Sequence, residues 1–118
     1  MLTLKGEPKS TQHIYKYTCR GGYVHGYMSA DGKALKEDYQ WQLKSQWRRK
    51  PIETPLQVSL VLYFATKRVH DVDNYSKIIL DACNGMVWKD DGQIEELNIR
   101  RSYDPKAPRI ELEFNELP

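Results

Sequence analysis

Six polar residues within one 21-residue span are the ones that could do chemistry: Asp71, Asp73, Lys77 and Asp81, followed by Asp90 and Asp91. Carboxylates that share a site repel one another, so such a cluster is normally stabilised by something cationic, and a hard divalent metal with oxygen ligands is the obvious candidate. Asp-held metal beside a Lys is equipment for phosphoryl chemistry, and the chain reads first as a metal-dependent nuclease. Phosphodiester hydrolysis needs a water made nucleophilic at neutral pH and charge stabilised on both the attacking and the leaving oxygen. One or two Mg²⁺ ions, about 4 Å apart when paired, supply both. Mg²⁺ is held by few carboxylates together with waters and the substrate's own phosphate oxygens, so three Asp residues suffice. A neighbouring Lys can balance carboxylate charge at rest and stabilise developing charge during reaction.

Simpler readings compete. Asp71-Val72-Asp73 could open a calcium loop of the EF-hand type, but position six would be Ser76 rather than Gly and position twelve Ala82 rather than Glu, so that reading fails. Asp73 could be a helix N-cap, Lys77 and Asp81 a surface pair four residues apart, and Asp90-Asp91-Gly92 a turn. Each accounts for one residue or pair; none accounts for their coincidence. His70, next to Asp71, is either a base or ligand or a structural histidine.

The elements that must position these residues follow from periodicity. Met1 to Lys5 alternates as a short strand, and Tyr15 to Met28 reads as strand pieces around a glycine-containing loop. Ser29 or Asp31 caps a helix through about Trp47, with Leu35, Tyr39, Leu43 and Trp47 on one side, and Arg48-Arg49-Lys50-Pro51 ends it. Leu56 to Phe64 is the clearest strand, with Leu56, Val58, Leu60, Leu62 and Phe64 on one face. A second helix runs from about Asn74 to Asn84 on the stripe Tyr75, Ile78, Ile79, Ala82 and Cys83, with Gly85 as terminator. Strands follow at about Ile94 to Arg101 and Arg109 to Phe114, a terminal pair joined by a Tyr103–Pro108 turn. Two main helices and a mixed sheet of five to six strands make one α+β domain over residues 1–118. Asp71 and Asp73 then lie where extended chain gives way to the second helix and point the same way, while Asp73, Lys77 and Asp81 share the helix side opposite the apolar stripe. Asp90 and Asp91 come after the chain turns back at Gly85, just before the next strand, which places one of them within reach of Asp71 and Asp73.

Composition bounds the rest. The length of 118 residues suits one domain, with a dimer unsurprising; 40% hydrophobic and 29% charged residues are ordinary for a globular protein. No apolar run approaches the roughly 20 residues of a membrane span and no signal segment is evident, so no membrane association is expected. Cys19 and Cys83 are far apart with no CxxC pairing, which fits a reducing cytoplasm. The net charge of +2 divides unevenly. Residues 71–96 hold seven acids and two bases, net −5, and the remainder 16 bases and nine acids, net +7. An acidic centre in a basic surround suits a metal-using enzyme with a polyanionic substrate. Lys67, Arg68, Arg48, Arg49 and Lys50, with Lys9 and Arg20, are the candidate phosphate contacts. Tyr15, Tyr17, Tyr23 and Tyr27 read as strand packing, or as platforms for unpaired bases.

The pattern Asp71-Val72-Asp73-Asn74-x-x-Lys77-x-x-x-Asp81-Ala82, followed by Trp88-x-Asp90-Asp91, resembles the signature of the RusA-type Holliday-junction resolvases, small phage and prophage-borne endonucleases. The similarity is sharp from about residue 67 to 99 and general before residue 55. It implies a homodimer that binds four-way branched DNA and nicks two opposing strands symmetrically with Mg²⁺ or Mn²⁺, in recombination and repair, without a small-molecule cofactor. Carried over, it makes Asp71, Asp73 and Asp91 the metal-binding catalytic acids and Lys77 the catalytic lysine, with Asp90 the alternative to Asp91; Asn74 would order the turn and Asp81 support Lys77. Two identical sites on a two-fold axis match a two-fold junction. The competing functions are a non-catalytic branched-DNA-binding protein and a related nuclease acting on forks or flaps.

Overall fold

Strict alternation makes Leu56–Phe64 a strand (β4), and every second residue from Leu56 to Phe64 is buried, as a strand covered on one face requires. In the computed structural model, which describes residues 1–10, 15–68 and 71–118, this strand is the centre of the domain. Around it, in chain order, are β1 (Leu2–Lys5), β2 (Tyr15–Arg20), β3 (Tyr23–Met28), α1 (Ala30–Gln46), then after β4 a 3₁₀ turn (Val72–Asn74), α2 (Ser76–Cys83), a second 3₁₀ turn (Asp91–Gln93), β5 (Ile94–Tyr103) and β6 (Arg109–Glu116).

The α+β expectation holds, with two helices on a mixed sheet ordered β1-β6-β4-β5. The six strands divide between this four-stranded sheet and a separate β2-β3 hairpin. The hairpin closes through Gly21 and Gly22, whose φ values of 58° and 82° give the primed turn that matches strand twist. Its ladder runs from Tyr15↔Met28 to Arg20↔Tyr23, and among the described residues the two strands pair only with each other.

The terminal strands do not pair as the short turn between them suggested. β4 lies between β5 and β6, parallel to the first (Leu60↔Ile99) and antiparallel to the second (Leu60↔Leu112). The Asp104–Pro108 connection passes over the end of β4, where the Asp104 N–H donates to the Phe64 carbonyl at 2.9 Å. A short link suggests a hairpin only if nothing fits between the strands; here the most apolar strand takes the middle, where both its edges are hydrogen-bonded. β5 is left as an edge strand whose residues are almost all exposed.

Each helix buries one stripe. On α1, Tyr39 and Leu43 are buried and Leu35 and Trp47 packed beside them, and Ser29 Oγ accepts the Gly32 N–H at 3.2 Å as the N-cap. On α2, Ile78, Ile79, Ala82 and Cys83 are fully buried, each large aliphatic contributing about 1.5–3 kcal/mol. The helix stops at Asn84, and Gly85, with φ of 79°, turns the chain so that its N–H reaches the Trp88 carbonyl at 2.7 Å. Trp88 is fully buried, its Nε1 donating to Asn84 Oδ1 at 2.9 Å. Backbone bonds from Ile52 to Val87 (2.9 Å) and from Lys89 to Ile52 (3.1 Å) tie this turn to the segment entering β4. Among the described residues no helix is long and apolar enough to cross a membrane.

Candidate active site

The parallel pairing of β4 with β5 decides where the acids go. Both strands end at the same edge of the sheet, Phe64 beside Tyr103, and both begin at the other, Leu56 beside Ile94. Asp71 and Asp73 lie in the segment that leaves β4 and enters α2. Asp90 and Asp91 immediately precede β5 and so belong to the Leu56 edge.

At the first location the chain enters α2 through the 3₁₀ turn, closed by Asn74 N–H to the Asp71 carbonyl (3.1 Å) and Tyr75 N–H to the Val72 carbonyl (3.3 Å). This removes the competing reading of Asp73 as a helix cap. The residue before α2 is Tyr75, which makes no side-chain capping bond, and Asp71, which precedes the 3₁₀ turn, makes none either. Both carboxylates are exposed, and among the described residues neither has a hydrogen-bond or ion-pair partner. Tyr75 holds the turn in place from below. It is buried edge-on against Phe64 at 5.2 Å, and burial, with Glu7 and Asp71 near it, raises its phenol pKa despite the opposing effect of Arg68.

At the start of α2, Lys77 Nζ lies 3.4 Å from Asp81 Oδ2, with side chains 58% and 19% exposed. At that distance and exposure the pair adds at most a few tenths of a kcal/mol to stability, so it orients Lys77 more than it holds the helix. Asn74 is half-buried in the turn itself.

At the other edge, Asp90 and Asp91 have different surroundings. Asp90 Oδ2 accepts the Gly92 N–H at 2.9 Å, and the Asp90 N–H donates to Gln93 Oε1 at 2.9 Å, a reciprocal capping box on the second 3₁₀ turn. Gln93 Nε2 in turn donates to the carbonyls of Ile52 (2.8 Å) and Thr54 (3.0 Å). Asp91 is exposed and stands outside this box. Asp90 is therefore engaged in local structure and Asp91 is available for chemistry.

Among the described residues no three His, Cys, Asp or Glu side chains converge into a group able to hold an ion. The donor type nevertheless fits a hard divalent cation: Asp71 and Asp73 offer exposed carboxylate oxygens two residues apart, and Mg²⁺ commonly takes one or two carboxylates with the rest of its shell from water and substrate phosphate.

The predicted phosphate contacts sort by edge. Lys67 and Arg68 line a cavity of ≈ 330 Å³ with Phe64, Arg101, Ser102 and Tyr103, and Lys67 Nζ sits 5.2 Å from the Tyr103 ring centre. Arg101, Ser102 and Tyr103 were absent from the candidate residues because β5 was expected to stop at Arg101, leaving Tyr103 to a turn. The sequence signal was indirect: a helix between β4 and β5 suits a crossover between parallel strands, and sites in such sheets gather outside the carboxyl ends of the strands. Arg48, Arg49 and Lys50 lie at the other edge, beyond the end of α1, all exposed. Lys9 is exposed, well removed in sequence from both. His70 falls outside the described residues, as do the side chains of Tyr15, Tyr17, Arg20 and Tyr23; Tyr27 is 47% exposed.

Comparison with known proteins places the chain in a family. The chain is 24% identical over 111 residues to the crossover junction endodeoxyribonuclease RusA of Escherichia coli (strain K12), a match covering 93% of this chain and 89% of that protein. The crossover junction endodeoxyribonuclease of Enterobacteria phage 82 matches to the same extent. A 47-residue stretch is 40% identical to the uncharacterized protein YqaN of Bacillus subtilis (strain 168), covering 40% of this chain and 32% of that one. Residues 5–115, nearly the whole domain with both acid-bearing turns, match the model of the endodeoxyribonuclease RusA family, and the chain belongs to that family.

Proposed function

We propose that this protein is a Mg²⁺-dependent endodeoxyribonuclease that resolves four-way DNA junctions by paired, symmetric nicks, in recombination and repair. The observation that carries the reading is the pair Asp71 and Asp73: two exposed carboxylates in one tight turn, neither used as a cap, shortly before Lys77 in the chain and shortly after the Lys67 and Arg68 that line a basic cavity with Arg101. When bound, Mg²⁺ or Mn²⁺ would acidify the attacking water and neutralise charge on the cleaved phosphate. Asp71 and Asp73 would hold the ion at the Phe64 edge. Lys67 and Arg68 would seat the neighbouring phosphates, and Lys77, oriented by Asp81, would stabilise charge developing on the reacting phosphoryl oxygens. Asp91 belongs to the opposite edge of the same chain, so a homodimer serves two ends: it gives one site per nicked strand and offers a second copy's Asp91 as the third acid. The two free cysteines suit a reducing cytoplasm.

The test is a labelled four-way junction and a linear duplex of the same sequence, each with Mg²⁺ and with EDTA, using the wild type and Asp73→Asn. Paired, metal-dependent nicks confined to the junction and lost in Asp73→Asn, with binding retained, are the expected result. Cutting by Asp73→Asn at the wild-type rate would remove the metal-site assignment, and tight binding with no cleavage in either metal would leave a junction-binding protein.

A further inference from the structure

The C-terminal half of α1 carries a feature that the nuclease reading leaves unused. Trp41 is 71% exposed, the largest aromatic surface left to solvent among the described residues. Its indole borders a cavity of ≈ 580 Å³ lined by Trp41, Lys44, Ser45, Trp47, Arg48 and Arg49. The Lys44 ammonium stands 5.4 Å from the Trp41 ring centre, and the Arg49 guanidinium 5.7 Å from that of Trp47. No acid lines this cavity. The Nε1 of Trp47 is buried with no acceptor among the described residues.

We infer that this surface binds a strand of DNA with unpaired bases, a base stacking on Trp41 and the flanking phosphates meeting Lys44, Arg48 and Arg49; the inference rests on the nuclease reading and adds to it a contact with single-stranded DNA. Aromatic faces interleaved with cations are the recurring way to hold single strands, because every base offers a π-face and every linkage a negative charge. A second copy of the chain fits worse. A two-fold contact would gather Lys44, Arg48 and Arg49 of both copies, six cations, with only the two Glu37 carboxylates of the adjoining cavity shared by Trp41 and Lys44 to offset them. The patch is also well placed. From Arg49 the chain runs through Lys50 and Pro51 to Ile52, whose backbone is bonded to Val87 and Lys89, so the surface adjoins the edge that bears Asp91. A strand held there would pass from an unpaired junction core toward that acid.

The experiment is a titration of wild type, Trp41→Ala and Trp41→Phe with an oligo-dT of about 10 nucleotides and with a blunt duplex, followed by tryptophan emission and by anisotropy of labelled DNA. Trp88 is fully buried, so quenching by single strands reports on Trp41 and Trp47, which line the cavity together, and the Trp41 variants separate the two. The expected result is quenching in the wild type and, in Trp41→Ala, a fall in oligo-dT affinity of between about 5-fold and about 150-fold, while duplex affinity changes less than about twofold. Trp41→Phe should keep most of the oligo-dT affinity while losing the Trp41 share of the quenching. Oligo-dT affinity unchanged in Trp41→Ala would overturn the inference with the nuclease reading intact. So would sedimentation showing that Trp41→Ala turns a dimer into monomers with no loss of oligo-dT affinity, which would make the patch a contact between copies. Failure of the wild type to bind either DNA at low salt would overturn the nuclease reading as well.

Discussion

The two adjacent acids Asp90 and Asp91 can be separated by substitution because the structure gives them different surroundings. Asp90 caps the 3₁₀ turn before β5 through one bond to the Gly92 N–H at 2.9 Å, and the loss of such a cap costs about 1 kcal/mol. The other half of the box survives: Gln93 stays anchored on Ile52 and Thr54, and Asp90 is exposed, so removing its carboxylate leaves no cavity. Asp90→Ala should therefore lower stability by about 1 kcal/mol, a fall in Tm of about 3–5 °C for a domain of this size. Asp90→Asn keeps an oxygen at the cap and should shift Tm by less than about 1 °C, both variants cutting a junction within about threefold of wild type. Asp91→Asn should make the opposite pattern, Tm unchanged and cleavage reduced by at least about 100-fold, if Asp91 is the third acid as proposed, because no structural bond is lost while an oxygen ligand is weakened. Scanning calorimetry gives the first readout and single-turnover junction cleavage the second. An inactive, fully stable Asp90→Asn alongside a competent Asp91→Asn would refute the division of roles and make Asp90 the catalytic acid.

Four further outcomes can be checked. A Cβ at Gly92 would stand 2.8 Å from Asp90 Oδ2, so Gly92→Ala should displace the cap and cost about what Asp90→Ala costs, and the double variant should be no worse than either, measured as a double-mutant cycle in urea. Mixing Asp73→Asn with Asp91→Asn protein should restore nicking through heterodimers with one intact site if a second copy supplies Asp91; two inactive proteins that stay inactive when mixed would rule that out. Lys67→Gln with Arg68→Gln should reduce the slope of log affinity against log salt by about 2 if both contact phosphate, and an unchanged slope would exclude them. Burial holds the Cys83 thiol pKa up at about 12 from 9.0, so native protein at pH 8 should react with a thiol reagent at the exposed Cys19 alone, and denatured protein at both cysteines. Because folding keeps that proton, the contribution is present below pH 9 and lost as pH rises from 9 toward 12, where alkaline unfolding should become steeper than in Cys83→Ala.

Much of the architecture was legible along the chain, for identifiable reasons. Leu56–Phe64 and the Ile78/Ile79/Ala82/Cys83 stripe declare themselves because burial on one face imposes a period of two on strands and 3.6 on helices, and the buried residues are the ones those periods pick out. Ser29 could be named as a cap because a side-chain oxygen before a helix satisfies its free amides locally. Asp73 could not, because the entry to α2 runs through a 3₁₀ turn whose backbone closes on itself, and nothing in residue type distinguishes that turn from a capped helix start. The β5–β6 pairing was misread for a similar reason: the length of a link limits how far apart two strands lie but not what lies between them.

For the candidate site the same division holds. Residue type and spacing by themselves singled out Asp71, Asp73, Lys77, Asp81, Asp90 and Asp91 as the candidates for chemistry, since carboxylates and a lysine at those intervals suit a metal and a phosphate together. The tertiary structure decided which of them are available and where. Asp90 is engaged as a cap, Lys77 is turned toward Asp81, and Arg101 and Tyr103 join Lys67 and Arg68 at one edge. The expectation that Asp90 or Asp91 comes back within reach of Asp71 and Asp73 treated the crossover as a simple return. Parallel strands instead start at one edge and end at the other, so the residues before β5 and the residues after β4 are held at opposite ends of the pair. Which side chains a crossover brings together depends on strand direction, and strand direction is a property of pairing across the sheet rather than of any local stretch of sequence.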